Sequence, residues 1–140
     1  MSLFILDTDC LTLHQHRHPI LSPKIRAITA PDQLAITVIS VEEQISGWYT
    51  ILRRAKQPDE IVKAYQLLAD CVEKLAGLPI LSLSMPALMQ FRQLVSLKLN
   101  VSNSDLRIAA ITLVNSGTLI TRNVRDFQRV PNLRIEDWTV

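Results

Sequence analysis

The chain has 140 residues, of which 48% are apolar and 20% charged, and its formal net charge is +2. This length and composition are those of an ordinary soluble globular protein, so we expect a single domain over residues 1–140. The small net charge gives no argument for a polyanionic partner, and no apolar run approaches the ~18 residues of a membrane span. The first residues lack the basic start and apolar core of a secretion signal.

Two cysteines, Cys10 and Cys71, lie in apolar-rich segments, and the chain has no Cys-x-x-Cys motif. Buried free thiols in a reducing compartment are therefore favoured over a disulfide. Together with the absence of a secretion signal, this predicts a cytoplasmic protein.

Strands and helices alternate along the first part of the chain. Residues 3–6 are a continuous apolar run, typical of a strand buried on both faces, and the run ends abruptly at Asp7. A helix to about residue 15 follows. Ser22, directly before a proline, is predicted as the N-cap of a second helix over residues 24–29. A second buried strand is predicted over residues 34–39.

A pair of long helices is predicted next. Ser40 is a good N-cap, and Glu43 lies three residues later, where a capping-box acid belongs. Apolar residues at steps of three and four predict the buried faces of the two helices. These residues are Val41, Ile45, Trp48, Leu52 and Ala55 in the first helix, and Ile61, Tyr65, Leu68, Val72 and Leu75 in the second. Pro58 separates the helices, and Gly77 is placed as a C-terminal cap.

The remaining residues continue the alternation. We predict strands over residues 78–83, 118–121 and 133–135. Ser84 is predicted to cap a helix over residues 86–97, and Ser104 or Asn103 to cap the following one. Alternating strands and helices predict an α/β architecture, in which a parallel sheet carries helices on both faces.

Five polar side chains are predicted to meet at one edge of this sheet. Asp7 follows the first strand, Glu43 starts the helix after the second, and Asn123 and Asp126 follow the fourth. Asp105 starts the helix that leads into the fourth strand and so lies at the same edge. Ligands of open parallel sheets bind there, and hard divalent cations take oxygen ligands.

Each acid also has a simpler explanation when it is considered alone. Glu43 could serve only the capping box, Asp105 only the helix dipole, and Asp126 only a turn. The shared edge is what favours a functional site. No cysteine pair completes a zinc site with His14, His16 and His18, so these histidines are predicted to lie on the surface.

Four segments resemble the PIN-domain family, and within it the VapC-type toxin ribonucleases. They are residues 4–9 (FILDTD), 39–47 (ISVEEQISG), 104–110 (SDLRIAA) and 119–127 (LITRNVRDF). Their order and spacing cover nearly the whole chain. The resemblance implies a three-layer α/β/α PIN-like fold with a central, mostly parallel sheet of four to five strands.

The resemblance also implies a site and a chemistry. It assigns Asp7, Glu43, Asp105, Asn123 and Asp126 to catalysis, and Mg²⁺ or Mn²⁺ to ligands from Asp7, Glu43, Asp105 and Asp126. Asn123 departs from the aspartate that is frequent at its position, and Asp126 could restore the missing charge. The hydroxyls of Thr8 and Thr121 could orient these groups. Glu42 is the neighbour that could be confused with Glu43.

The activity implied is metal-dependent hydrolysis of RNA by the toxin of a toxin–antitoxin pair. The partners implied are an RNA substrate, a protein antitoxin and a second copy of the chain, the last two near the long helices. Arg122, Arg125 or Arg53 could hold phosphates. A catalytically weak PIN-like module that binds RNA or protein remains the alternative. A phosphoacceptor receiver domain is rejected, because the third predicted strand does not end in aspartate.

Overall fold

The computed structural model describes the whole chain, residues 1–140. Five strands form one sheet in the order β3-β2-β1-β4-β5, and every neighbouring pair is parallel. The strands are β1 (Leu3–Leu6), β2 (Gln33–Thr37), β3 (Ile80–Leu81), β4 (Thr118–Ile120) and β5 (Arg134–Glu136). The predicted parallel α/β architecture is therefore confirmed, with the sheet wholly parallel.

Seven helices cover the sheet. They are α1 (Thr8–Gln15), α2 (Leu21–Arg26), α3 (Val38–Arg54), α4 (Pro58–Ala76), α5 (Met85–Ser96), α6 (Asn103–Val114) and α7 (Val124–Phe127). The short helix α7 has no counterpart among the predicted elements. No helix combines the length and the apolar character that crossing a bilayer requires.

Two hydrophobic clusters lie on opposite faces of the sheet. Ile5 of β1 and Leu119 of β4 belong to the cluster under α5 and α6, whereas their neighbours Leu6 and Ile120 belong to the cluster under α1, α2 and α4. Successive residues of a strand point to opposite faces, so this alternation shows that both faces are covered. The layers are therefore helix, sheet and helix, as predicted.

The start of α3 differs from the prediction. The strand ends at Thr37 rather than residue 39, and the hydroxyl of Thr37, not that of Ser40, accepts the capping hydrogen bond, from the Ser40 backbone N–H. Ser40 lies inside the helix and is fully buried. The predicted Ser40–Glu43 capping box is therefore wrong, and the capping explanation of Glu43 is removed.

Two other helix starts also use different caps. Ser22 is inside α2 rather than before it, and the ring nitrogen Nδ1 of His18 accepts the backbone N–H groups of Ile20 and Leu21. At α6 the cap is Ser102, whose Oγ accepts the backbone N–H of Asp105. The caps predicted at Ser84 and Gly77 are confirmed.

The outer face of α4 carries apolar residues that are exposed to solvent. Of the residues predicted to be buried, Ile61, Tyr65 and Val72 are exposed, Tyr65 by 60%. The face turned inward carries Ala64 and Cys71 instead. A continuous apolar stripe therefore remains uncovered on this helix.

Candidate active site

Asp7 is buried at the point where β1 passes into α1. Its Oδ1 accepts the backbone N–H of Cys10 at 2.8 Å, which caps α1, and its Oδ2 accepts the hydroxyl of Thr121 at 2.6 Å. Only 5% of the residue is exposed. The predicted orienting role of Thr121 is thus confirmed: the residue after β4 fixes the carboxylate that ends β1.

Burial raises the pKa of the Asp7 carboxyl above its usual value. The hydrogen bonds from Thr121 and Cys10 act in the opposite direction, and the charge of Asp9 raises the pKa slightly further. The fold therefore disfavours the charged form of Asp7 in the absence of a cation. Burial, followed by the nearby Asp7 charge, also raises the pKa of the Cys10 thiol, so this free cysteine is kept protonated.

Glu43 is held by a chain of hydroxyl groups. Thr8 Oγ1 donates to Glu43 Oε1 at 2.7 Å, and Thr8 Oγ1 and Ser40 Oγ are 2.8 Å apart. A hydroxyl has one proton, so Thr8 must accept from Ser40 while it donates to Glu43. Because Glu43 is half-buried and Glu42 exposed, Glu43 is the inward-facing acid of the pair.

Asp105 lies in the first turn of α6, which packs against α3. Burial raises the pKa of its carboxyl, a hydrogen bond from the Ser102 side chain lowers that pKa, and the charges of Glu43 and Asp126 raise it. Those two charges act on Asp105 only because their carboxylates are nearby. Asp105 therefore lies near the carboxylates of Glu43 on α3 and Asp126 on α7.

Asn123 and Asp126 form a local pair after β4. The backbone N–H of Asn123 donates to Thr121 Oγ1 at 2.9 Å, and its Nδ2 donates to Asp126 Oδ2 at 3.1 Å. Arg125 and Arg129 lie 3.5 and 3.4 Å from Asp126 Oδ1. The Asn123 hydrogen bond and the two arginines hold the pKa of Asp126 below its usual value.

The five predicted residues therefore lie along one edge of the sheet, which we call the acidic rim: Asp7, Glu43, Asp105, Asn123 and Asp126. No three histidine, cysteine or acidic side chains converge on a single point as a finished metal site. A shared cation at Asp7, Glu43 and Asp105 accordingly stays a prediction.

The donors of the acidic rim nevertheless suit Mg²⁺ or Mn²⁺. All are hard oxygens, and the raised pKa values of Asp7 and Asp105 mark carboxylates that lack a compensating positive charge. Mg²⁺ retains several of its waters, so one or two carboxylates are enough to hold it. The residues present fit such an ion in their chemistry.

The role predicted for one residue of the site differs from the role it has in the structure. Ser40 was interpreted as a helix cap, although it supports Thr8 and, through it, Glu43. Its position three residues before Glu43 places both on one face of α3, and this spacing could have revealed the connection. The three histidines are used structurally or lie outside: His14 bonds Ser22, and His16 is exposed.

Comparisons with known proteins found relatives among curated proteins and among solved structures. No family model matches the chain. Ribonuclease VapC1 of Haemophilus influenzae strain R2866 is 27% identical over 138 residues, which are 98% of both chains. Ribonuclease VapC2 of Rickettsia felis is 42% identical over a stretch of 38 residues, 27% of this chain and 28% of that protein.

Solved structures extend the likeness to the fold. A chain of Rickettsia felis VapBC2, bound to a DNA fragment from its promoter, has a TM-score of 0.74 at 22% identity, with 98% of this chain and 99% of that chain covered. This chain has the fold of the VapC-type PIN proteins. A chain of VapBC-1 from nontypeable Haemophilus influenzae has a TM-score of 0.71 at 24% identity, with 99% of this chain and 100% of that chain covered. The resemblance seen in four segments is therefore confirmed, and the similarity of fold covers nearly the whole chain.

Proposed function

We propose that this protein is a Mg²⁺- or Mn²⁺-dependent endoribonuclease of the cytoplasm and the toxin of a toxin–antitoxin pair. The proposal is supported by the full-length similarity to a protein named ribonuclease VapC1 and by the VapC-type PIN fold. The observation that carries it is the position of Asp7, Glu43, Asp105 and Asp126 at one edge of the parallel sheet, where the carboxyl of Asp105 lies near Glu43 and Asp126. Acids from three separate segments are thus held near one another at one edge of the sheet.

In this proposal Asp7, Glu43 and Asp105 hold the divalent ion, and Asp126 adds negative charge beside them. A bound ion would lower the pKa of a water molecule and offset the charge of the phosphate under attack. The protein's own contribution is orientation. Thr121 and the Cys10 N–H fix both oxygens of Asp7, and Thr8 fixes one oxygen of Glu43, so little rearrangement is needed when the substrate arrives.

The proposed activity is tested with antitoxin-free protein and single-stranded RNA. We expect cleavage with Mg²⁺ or Mn²⁺ and none in EDTA, because a water nucleophile at neutral pH needs a metal ion. If the protein binds RNA but never cuts it with either metal, an RNA-binding module replaces the proposed ribonuclease. A protein that neither binds nor cuts RNA would contradict both functions.

A groove beside the acidic rim is the proposed site of the antitoxin. It has a volume of about 430 Å³ and runs between α1, α3 and α4, with Thr8 and Glu43 at its lining. The half-buried indole of Trp48, with Leu67 and Ile51, supplies apolar surface. Two carboxylates against one lysine favour a segment that carries apolar and basic side chains. Such a segment would cover Glu43 and so block the site.

A homodimer is the further proposed assembly, through the exposed apolar stripe of α4. We expect the wild-type protein to be dimeric at micromolar concentration, because exposed apolar patches mark interfaces. Tyr65 is 60% exposed within the stripe, and Tyr49 on α3 is 50% exposed. Tyr65→Glu would place a charge in the interface and should weaken the dimer about 30-fold, or about 2 kcal/mol. Analytical ultracentrifugation measures both proteins.

The matched control for the dimer is Gln66→Glu, which adds the same charge at the next exposed position of α4. It should leave the dimer intact if Gln66 lies outside the apolar stripe. A wild-type protein that stays monomeric at about 100 times that concentration would exclude this interface, as would equal weakening by both variants.

A further inference from the structure

An exposed ion pair connects the two loops that carry Asp7 and Asn123. Arg122 Nε lies 2.6 Å from Asp9 Oδ2, and Arg122 Nη2 lies 3.3 Å from Asp9 Oδ1. The guanidinium therefore lies side-on to the carboxylate and uses two of its three nitrogens. Both side chains are about half exposed, 51% for Arg122 and 48% for Asp9.

The position of Arg122 is fixed by the residues on either side of it. Thr121 donates its hydroxyl to Asp7, and the backbone N–H of Asn123 donates back to Thr121. Asp9 lies in the first turn of α1, the helix that Asp7 caps. The backbone at Arg122 is consequently fixed next to Asp7, the most buried acid of the acidic rim, and Asp9 holds the guanidinium along one edge.

The other two arginines of this segment have different surroundings. Arg129 donates from its Nη1 to the backbone carbonyl of Asn100 and faces Asp126, so it joins two loops. Arg125 is 81% exposed and lies 3.5 Å from Asp126, so it is only loosely held. Arg122 differs from both in that one carboxylate, that of Asp9, accepts hydrogen bonds from two of its nitrogens, while its Nη1 makes no protein hydrogen bond.

Stabilisation of the fold does not explain why Arg122 and Asp9 form an ion pair. Exposed ion pairs contribute about 0–1 kcal/mol to folding. A negatively charged substrate, by contrast, needs a cation beside the acids that repel it. A guanidinium with a free edge is suited to a phosphate oxygen, since its planar fork matches phosphate geometry.

We propose that Arg122, held side-on by Asp9, binds a backbone phosphate of the RNA next to the one at the acidic rim. This inference rests on the proposed ribonuclease function and adds a positioning residue to it. Asp9 keeps the guanidinium at the edge of the site and prevents it from folding onto Asp7. The RNA backbone is thereby aligned along the rim by contacts that do not depend on base identity.

The test is RNA binding by Arg122→Gln, measured by fluorescence anisotropy with single-stranded RNA. Ca²⁺ replaces Mg²⁺ as a hard cation, and gels verify that the RNA is intact. We expect affinity to fall about 10-fold and the slope of log K against log salt to shrink by about 0.7, the value for one phosphate contact on a single strand. The melting temperature should change by less than about 2 °C.

Arg54→Gln is the matched control, because it removes one exposed arginine at the end of α3. Arg54 is eleven residues beyond Glu43, or about 16 Å along the helix axis. It should change RNA affinity by less than about 2-fold.

Different results identify which idea fails. If the wild-type protein does not bind RNA, the proposed function is wrong. If it binds RNA and Arg122→Gln matches it in affinity and salt slope, only the role of Arg122 is wrong. Should Arg122→Gln not fold, the Nε signal of Arg122 in the wild-type protein is followed by NMR during RNA addition. A shifted signal supports the contact, and an unchanged signal overturns it.

Discussion

Asp105→Asn should reduce RNA cleavage at least 1,000-fold, equivalent to about 4 kcal/mol of transition-state stabilisation. The substitution keeps the shape of the side chain and removes its charge. Asp105 lies near Glu43 of α3 and Asp126 of α7, and in the proposed site it is the carboxylate that completes the ligand set with Asp7 and Glu43. The rate of cleavage of a single-stranded RNA in saturating Mn²⁺ measures the effect.

The control for Asp105→Asn is Glu42→Gln, which removes one acid directly beside Glu43. Glu42 is exposed and makes no hydrogen bond to the acidic rim, so cleavage should stay within about 2-fold of wild type. An Asp105→Asn protein that retains a tenth of the activity would remove Asp105 from the site. Equal losses in both variants would point to general electrostatics rather than to one ligand.

Asp7→Asn should raise the melting temperature of the metal-free protein while it abolishes cleavage. Burial raises the pKa of Asp7, so its charged form destabilises the fold at neutral pH. Removing that charge is expected to add about 2–5 °C, on the order of 1 kcal/mol for a domain of this size. Differential scanning calorimetry in EDTA measures this.

The pH dependence of that gain has a definite sign. A carboxyl whose folded pKa is raised contributes stability below its unfolded pKa and loses that contribution as pH rises through the folded value. The advantage of Asp7→Asn should therefore be largest above the folded pKa of Asp7 and shrink as pH falls toward the unfolded value of about 4. Asp126, whose pKa is lowered, acts in the opposite direction in both proteins, so its contribution cancels from the difference.

A lower melting temperature of the Asp7→Asn protein would have a different structural explanation. Both oxygens of Asp7 accept hydrogen bonds, and Asn would place an NH₂ group toward either Cys10 N–H or Thr121. A fall in melting temperature would mean that these hydrogen bonds outweigh the cost of the buried charge. Glu42→Gln is the control, because that acid is exposed and makes no hydrogen bond to Asp7.

The order of the elements could be predicted because each buried strand is a continuous apolar run. The run of β1 ends directly at Asp7, and Asn123 follows the end of β4 by three residues, so the strand ends also located the site. The rim followed from topology alone, since parallel strands place all their carboxyl ends at one edge. The roles of Thr8 and Thr121 were also suggested by their positions beside these ends.

The predicted start of α3 was wrong because Val38 and Ile39 are β-branched residues that extend the apolar run of β2. Their local preference is for a strand, yet the chain turns into a helix after Thr37 and buries Ile39 against α5 and α6. Tertiary packing therefore overrides local preference at this point. The hydroxyl chain from Ser40 to Glu43 exists only because the helix starts early, so the sequence prediction missed it.

The predicted buried face of α4 was wrong at Ile61, Tyr65 and Val72 for a different reason, although Leu75 is buried as predicted. Periodicity identifies an apolar face but does not state what covers it. Ala64, Cys71 and Leu75 turn inward, and the stripe with Tyr65 and Val72 lies about one residue, or about 100°, around the helix. A single chain offers no surface to cover that stripe, and this leads to the proposed dimer.

The central claim, that the acidic rim holds a divalent ion which supports RNA hydrolysis, is tested most directly by one cleavage assay. Wild-type protein and the double variant Asp7→Asn with Asp105→Asn are each given single-stranded RNA in EDTA, and Mn²⁺ is then added in excess. We expect that neither protein cuts RNA in EDTA and that only the wild-type protein cuts RNA once Mn²⁺ is free. Cleavage that persists in EDTA, or cleavage by the double variant after Mn²⁺ addition, would contradict it.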